Sequence, residues 1–118
     1  MIIAILKDLI FISKIKETAV QLNKTINFIK NYDELNNFLG GKINYENIEL
    51  VIIDLNFNEI MPLETIKKLK INEKLKNKRI ITYCSHVQTE LMDKARELGI
   101  EVMPRSLFTT KLKTLINN

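Results

Sequence analysis

The sequence predicts an α/β fold, a doubly wound five-stranded parallel sheet. Three observations predict it. Short β-branched runs recur without polar alternation, as strands covered on both faces require. Longer stretches with helical spacing lie between them. Capping and stop signals mark several of the boundaries. Five strand–helix units in alternation imply parallel strands with helices on both faces of the sheet.

Ile2 to Leu6 is the first buried run, ended by Lys7-Asp8. Leu9 to Leu22 then places Leu9, Ile12, Ile15, Ala19 and Leu22 near one helical face, with Lys14, Lys16, Glu17 and Gln21 largely off it. Thr25 to Ile29 is a short strand. Asn31-Tyr-Asp-Glu34 has the spacing of a capping box and opens a helix through Leu39. Gly40-Gly41 suits a left-handed stop. Lys42 to Asn47 is a polar connection. Leu50-Val-Ile-Ile-Asp54 is the clearest buried strand, and it ends in a carboxylate. Pro62 suits the first turn of a helix to about Leu69 or Ile71, with Leu63, Ile66 and Leu69 inward. Arg79 to Cys84 is the fourth strand. Ser85-His-Val-Gln88 again has capping-box spacing, and the helix to Leu98 turns Leu91, Ala95 and Leu98 inward before Gly99. Ile100 to Met103 is the fifth strand. Ser106 caps a last helix from Leu107 to Ile116.

The 118 residues fit one domain, 1–118. Cys84 is the only cysteine, so an intrachain disulfide and a four-cysteine zinc site are excluded. Net charge is +4, with 15 Lys against 3 Arg. No apolar run approaches the ~18 residues of a membrane span. The short start Met1 to Leu6 lacks the basic leader of a signal peptide, so the cytoplasm is the expected location.

In an open parallel sheet, ligands bind beyond the carboxyl ends of the strands. Those ends carry Lys7-Asp8, Asp54-Leu-Asn56, Cys84-Ser85-His86 and Pro104-Arg105-Ser106. With strand order 2-1-3-4-5, Asp8 and Asp54 become neighbours. Two facing carboxylates repel unless a cation compensates, and a hard, oxygen-ligated Mg²⁺ fits.

On these residues the chain resembles the CheY-like receiver domains of two-component response regulators, over essentially its whole length. The resemblance implies the flavodoxin and CheY type of doubly wound sheet. It also implies that Asp54, at the end of Val51-Ile-Ile-Asp54-Leu-Asn56, accepts a phosphoryl group. Asn56 then offers a backbone carbonyl to Mg²⁺, Asp8 supplies an acidic ligand, and Ser85 is the switch hydroxyl. A histidine kinase or phosphotransfer protein would be the donor, a downstream protein the target, and a homodimer is compatible. There are departures from the pattern. The usual acidic pair reads Lys7-Asp8, Phe57-Asn58 follow where Met-Pro is usual, and the Lys-Pro of the fifth strand reads Met103-Pro104-Arg105. Arg105 has the fork geometry to reach a phosphoryl oxygen. The segments Ser85-His-Val and Met103-Pro-Arg-Ser106 also look like a group of short, stand-alone receiver-like proteins.

Each of these residues has a plainer reading. Asp54 ends a strand and caps a loop. Asp8 is an N-cap, a role compatible with metal binding. Lys7 either reaches Asp54, lowering its pKa and partly replacing Mg²⁺, or is a solvated strand end. Ser85 is a cap, His86 a loop histidine, and Cys84 a buried strand residue. The departures motivate a second function, a pseudo-receiver that binds partners without phosphate. The basic stretch 67–79 motivates a weaker third, nucleic-acid binding. A solvated face explains those lysines better, since no aromatic interleaving or known binding motif accompanies them. No acid–base or nucleophile constellation marks an independent enzyme.

Overall fold

The structure, a computed structural model, describes residues 1–117. Five strands form one sheet: β1 (Ile2–Ile5), β2 (Ile26–Ile29), β3 (Leu50–Asp54), β4 (Arg79–Cys84) and β5 (Glu101–Pro104). Their order is β2-β1-β3-β4-β5 and every pairing is parallel. Five helices connect and follow them: α1 (Leu9–Gln21), α2 (Tyr32–Leu39), α3 (Pro62–Ile71), α4 (Thr89–Glu97) and α5 (Arg105–Asn117). Short 3₁₀ turns at Tyr45–Asn47 and Asn58–Ile60 flank β3.

Strand alternation divides the core in two. Ile3, Ile5, Val51, Ile53 and Ile80 pack with Leu35 and Phe38 of α2, Ile66 and Leu69 of α3, and Met92 and Ala95 of α4. Ile2, Ala4, Ile52, Ile81 and Tyr83 pack on the other face with Ile15 of α1 and Phe108, Leu112, Leu115 and Ile116 of α5. The sheet is therefore covered on both sides, and every residue of β1 and β3 is buried.

Local signals held where the side chain acts on its own turn. Asp8 Oδ1 accepts from the amides of Ile10 and Phe11 and caps α1. Asn31 caps α2 through the Glu34 amide, and Glu34 returns to the amide of Lys30. Gly41 and Gly99 take φ of +81° and +79°, so the left-handed stops fall on glycines.

Three readings are corrected. Ser85 does not cap the fourth helix. That helix begins at Thr89, and the Ser85 carbonyl instead receives the Gln88 amide in a turn. Ser106 does not precede the fifth helix. Pro104 ends β5, Arg105 opens α5 directly, and Ser106 lies in its first turn. Leu9, expected inward, is 77% exposed, because the buried face of α1 runs through Ile15 and Ala19 and Leu9 falls to one side of it.

Asn31→Ala removes a cap and is expected to lower stability by about 1 kcal/mol. Ser85→Ala removes none and should stay within about 0.5 kcal/mol of wild type. Urea unfolding of the two variants checks both.

Candidate functional site

Four loops meet at the carboxyl edge of the sheet. β3 carries Asp54 to that edge, opposite Tyr83 in the register with β4. The side chain is 7% exposed. Its Oδ1 accepts from the Asn56 amide at 2.8 Å. Among the described residues, Oδ2 has no hydrogen-bond partner. Burial raises the Asp54 pKa. The Asn56 amide and then the positive charge of Arg105 oppose that shift, while Asp8 adds to it. Asp8 and Arg105 thus both act on Asp54, as the topology requires.

Asn56 is the junction of the site, a role its sequence position does not announce. Its side-chain carbonyl accepts from the Ser85 amide at 3.0 Å and from Arg105 Nη2 at 3.2 Å. Its side-chain amide donates to Gln88 Oε1. Its backbone carbonyl, the expected Mg²⁺ ligand, accepts from the Asn58 amide at 3.0 Å. One half-buried amide therefore ties together the loops after β3, β4 and β5. The signal that was available is Asn-type geometry two residues beyond a buried carboxylate, but its partners are 29 to 49 residues away.

Arg105 joins the site as expected. Its guanidinium carbon lies 5.7 Å from the centre of the Phe11 ring, a cation–π distance. Lys7 does not reach Asp54. Its ammonium points out of the site, 3.6 Å from Glu59 Oε1, and is 69% exposed. The other oxygen of Glu59 accepts the Tyr32 amide, so the ion pair leans on the α2 start. Ser85 stands at the site through its backbone, and its hydroxyl has no partner among the described residues. His86 is exposed. Cys84 is buried, and burial pushes its thiol pKa up, so its nucleophilic form is suppressed.

Behind these residues Phe11, Tyr83 and Phe108 form a cluster of three rings: Tyr83 stacks on Phe108 at 4.4 Å and meets Phe11 at a tilt, 5.2 Å away. Its hydroxyl is buried without a partner. Burial, with the nearby Asp54 charge, holds that hydroxyl protonated far above neutral pH.

The acidic donors at the carboxyl edge are few. No group of three acidic, histidine or cysteine side chains converges among the described residues. Asp8 and Asp54 each keep one carboxylate oxygen outside the hydrogen bonds described. That fits an ion which takes one or two carboxylates and keeps most of its water. The basic stretch 67–79 belongs to the second half of α3 and the loop before β4, away from the carboxyl edge. Lys67, Lys76 and Arg79 there are paired with Glu64, Glu73 and Glu101. No helix is long and apolar enough to cross a membrane among the described residues.

No family model matches the chain, and no curated protein does. Solved structures do. A response-regulator receiver domain from Rhodospirillum rubrum superposes with a TM-score of 0.75 at 16% identity, covering 99% of this chain and 92% of that one. The chemotaxis response regulator CheY4 of Vibrio cholerae gives 0.74 at 10% identity, covering 98% and 97%. The phosphorylated cyanobacterial phytochrome response regulator RcpA gives 0.75 at 16% identity, covering 98% and 88%. The fold of response-regulator receiver domains is therefore shared over nearly the whole chain.

The raised Asp54 pKa has a consequence for stability. Between the ordinary carboxylate value and the raised folded value, the native state holds a proton that the unfolded state has released. Stability should fall as pH rises through that window and level off above it. Urea midpoints across the acidic range should show this slope in wild type, and Asp54→Asn should reduce it.

Proposed function

We propose that this chain is a receiver-type signalling domain of the cytoplasm in which Asp54 takes a phosphoryl group from a histidine kinase or phosphotransfer protein. The observation that carries the reading is the Asp54 carboxylate. It is nearly buried at the carboxyl edge, with one oxygen held by the Asn56 amide, the other without a hydrogen bond among the described residues, and the positive charge of Arg105 acting on the group. The shared fold and the phosphorylated state of RcpA support it.

Oδ2 of Asp54 attacks phosphorus, the bond from phosphorus to the donor nitrogen breaks, and the donor imidazole leaves with a proton taken from solvent. The bond from Asn56 to Oδ1 fixes the carboxylate plane, so Oδ2 faces the incoming group. Arg105 stabilises the charge on the transferring oxygens. Asp8 and Asp54 would hold Mg²⁺, which supplies further neutralisation of phosphoryl charge when bound. The added charge on Asp54 competes with Asn56 for the Arg105 guanidinium. It also offers the unpartnered Ser85 hydroxyl an acceptor. Both changes loosen the junction that joins the loops after β4 and β5, and the face of α4, β5 and α5 then changes its affinity for a downstream protein.

A second reading is a phosphate-independent interaction module. Lys7 beside Glu59, and a guanidinium already bridged to Asn56, favour it.

Intact mass after incubation with Mg²⁺ and acetyl phosphate separates the two. A phosphoryl adduct on wild type and none on Asp54→Asn is the expected result. No adduct on either, with no Mg²⁺-dependent spectral change, selects the second reading. Arg105→Gln should slow adduct formation about tenfold or more. Lys7→Gln should change it less than about fivefold, since its charge is solvated and paired elsewhere.

A further inference from the structure

The positive charge of the chain is gathered at the end of the molecule opposite Asp54. Residues 67–79 hold seven basic side chains and one acidic one, a net charge of +6. The rest of the chain holds eleven basic and thirteen acidic, a net charge of −2. The segment forms the second half of α3 and the turn before β4, at the edge where the parallel strands begin. We infer that this edge docks an acidic polypeptide segment that carries an apolar residue.

The lysines project from an anchored turn. Leu75 is buried in the core, and Asn72 accepts from the Lys74 amide through its side chain and from the Leu75 and Lys76 amides through its carbonyl. Their charge is only partly used. Lys67, Lys76 and Arg79 are paired with Glu64, Glu73 and Glu101, whereas Lys68, Lys70, Lys74 and Lys78 have no carboxylate at ion-pair distance among the described residues. The helix dipole accounts for Lys68 and Lys70, in the last turn of α3. It does not account for Lys74 and Lys78, which lie beyond that helix. The surface there is shaped. A cleft of about 400 Å³ is lined by Lys74 and Lys78 together with Ile43, Tyr45 and Glu46. A second, of about 190 Å³, is lined by Lys70 and Lys78 together with Ile100 and Glu101. Lys78 belongs to both, and its ammonium donates to the Glu46 carbonyl at 3.4 Å, which holds it between them. Ile71, next to these lysines in sequence, is 79% exposed.

The lining selects among polyanions. Glu46 and Glu101 repel an unbroken row of phosphates, whereas the backbone N–H groups of a polypeptide can donate to them. Tyr45 is buried with its hydroxyl on the Phe38 carbonyl, so its ring is not free to stack on a base. The Arg79 guanidinium is bonded to Glu101 and to the Leu115 carbonyl, which leaves no open fork to read base edges. Ile71 gives an apolar contact that a peptide side chain can use and a phosphate backbone cannot. One such residue is too little to insert into a bilayer.

The test is fluorescence anisotropy of the full chain with a labelled short peptide of glutamates around one leucine, a short DNA duplex, and phosphatidylglycerol vesicles as competitor. Saturable peptide binding is expected, with amide shifts at Ile43, Ile71, Lys74 and Ile100 in a ¹H–¹⁵N titration. Lys74→Gln with Lys78→Gln should weaken it about tenfold or more. Lys74→Gln alone, at an exposed position, should weaken it about threefold, which separates the effect from a loss of fold at Lys78. Lys14→Gln with Lys16→Gln removes the same charge from the exposed face of α1 and should change binding less than about twofold. Ile71→Ser should weaken the peptide about threefold and leave any duplex binding unchanged. Absence of peptide binding, or equal losses in the two double variants, overturns the inference. Tighter binding of the duplex or the vesicles than of the peptide also overturns it and assigns the edge to nucleic acid or to a membrane. The surface lies apart from Asp54, so Asp54→Asn should bind the peptide as wild type does. Failure of adduct formation with intact peptide binding removes the receiver reading alone.

Discussion

Burial on both faces is the constraint from which the rest of the molecule follows. A parallel sheet sandwiched between two helical layers has no solvated face on which to carry polar chemistry. β1 and β3 contribute nine residues to its centre, and eight of them are apolar. The ninth, Asp54, is the last, at the point where β3 leaves the sandwich. Placing a carboxylate there costs solvation, visible in its raised pKa, and the surrounding loops are arranged around that cost. The backbone amide of Asn56 and the charge of Arg105 offset it, while Asp8, turned to cap its own helix, adds to it.

Asn56 converts that response into a connection between distant parts of the chain. Its carbonyl is shared by a β4–α4 loop amide and a guanidinium from α5, and its amide holds Gln88. A change in charge at Asp54 acts on Arg105 directly and on the other two loops through this one side chain. On the proposed receiver reading, phosphorylation of Asp54 would bias this junction from bridged toward released, a local electrostatic event of the kind that suffices for a signal. The aromatic cluster of Phe11, Tyr83 and Phe108 joins α1 and α5 beneath these loops.

The fold was legible in the sequence because its signals are local and repeated. The strand readings overlap β1 to β5 with ends within one residue, and the order β2-β1-β3-β4-β5 is as expected. Asp8 and Asn31 read correctly as caps because each bonds within its own turn. Ser85 did not, because its amide pairs with Asn56, a partner 29 residues away that no spacing rule anticipates. Lys7, read as either reaching Asp54 or ending the strand in solvent, takes the second course. The Glu59 carboxylate that takes its ammonium comes from the loop after β3, and strand alternation says nothing about that loop. Asp54 and Arg105 were legible as neighbours at the carboxyl edge because topology alone brings strand ends together. The side-chain role of Asn56 was not, since it exists only once three loops have met.

The position of β1 has a consequence for how the protein is made. β1 lies inside the sheet, and Ile2 pairs with both Ile26 and Leu50. During synthesis its apolar run emerges long before β3, the strand that completes its pairing. At a translation rate of about 5–20 residues per second, that interval lasts several seconds. A run of β-branched residues with open edges is then exposed to other nascent chains, and no hairpin is available to cover it, because every pairing in the sheet is parallel. α1, capped by Asp8 and complete soon after β1, is the first element able to fold back onto it. Early docking of α1, through Ile15 onto Ile2, Ala4 and Leu6, would cover one face of that run during translation, a task distinct from its place beside the finished site.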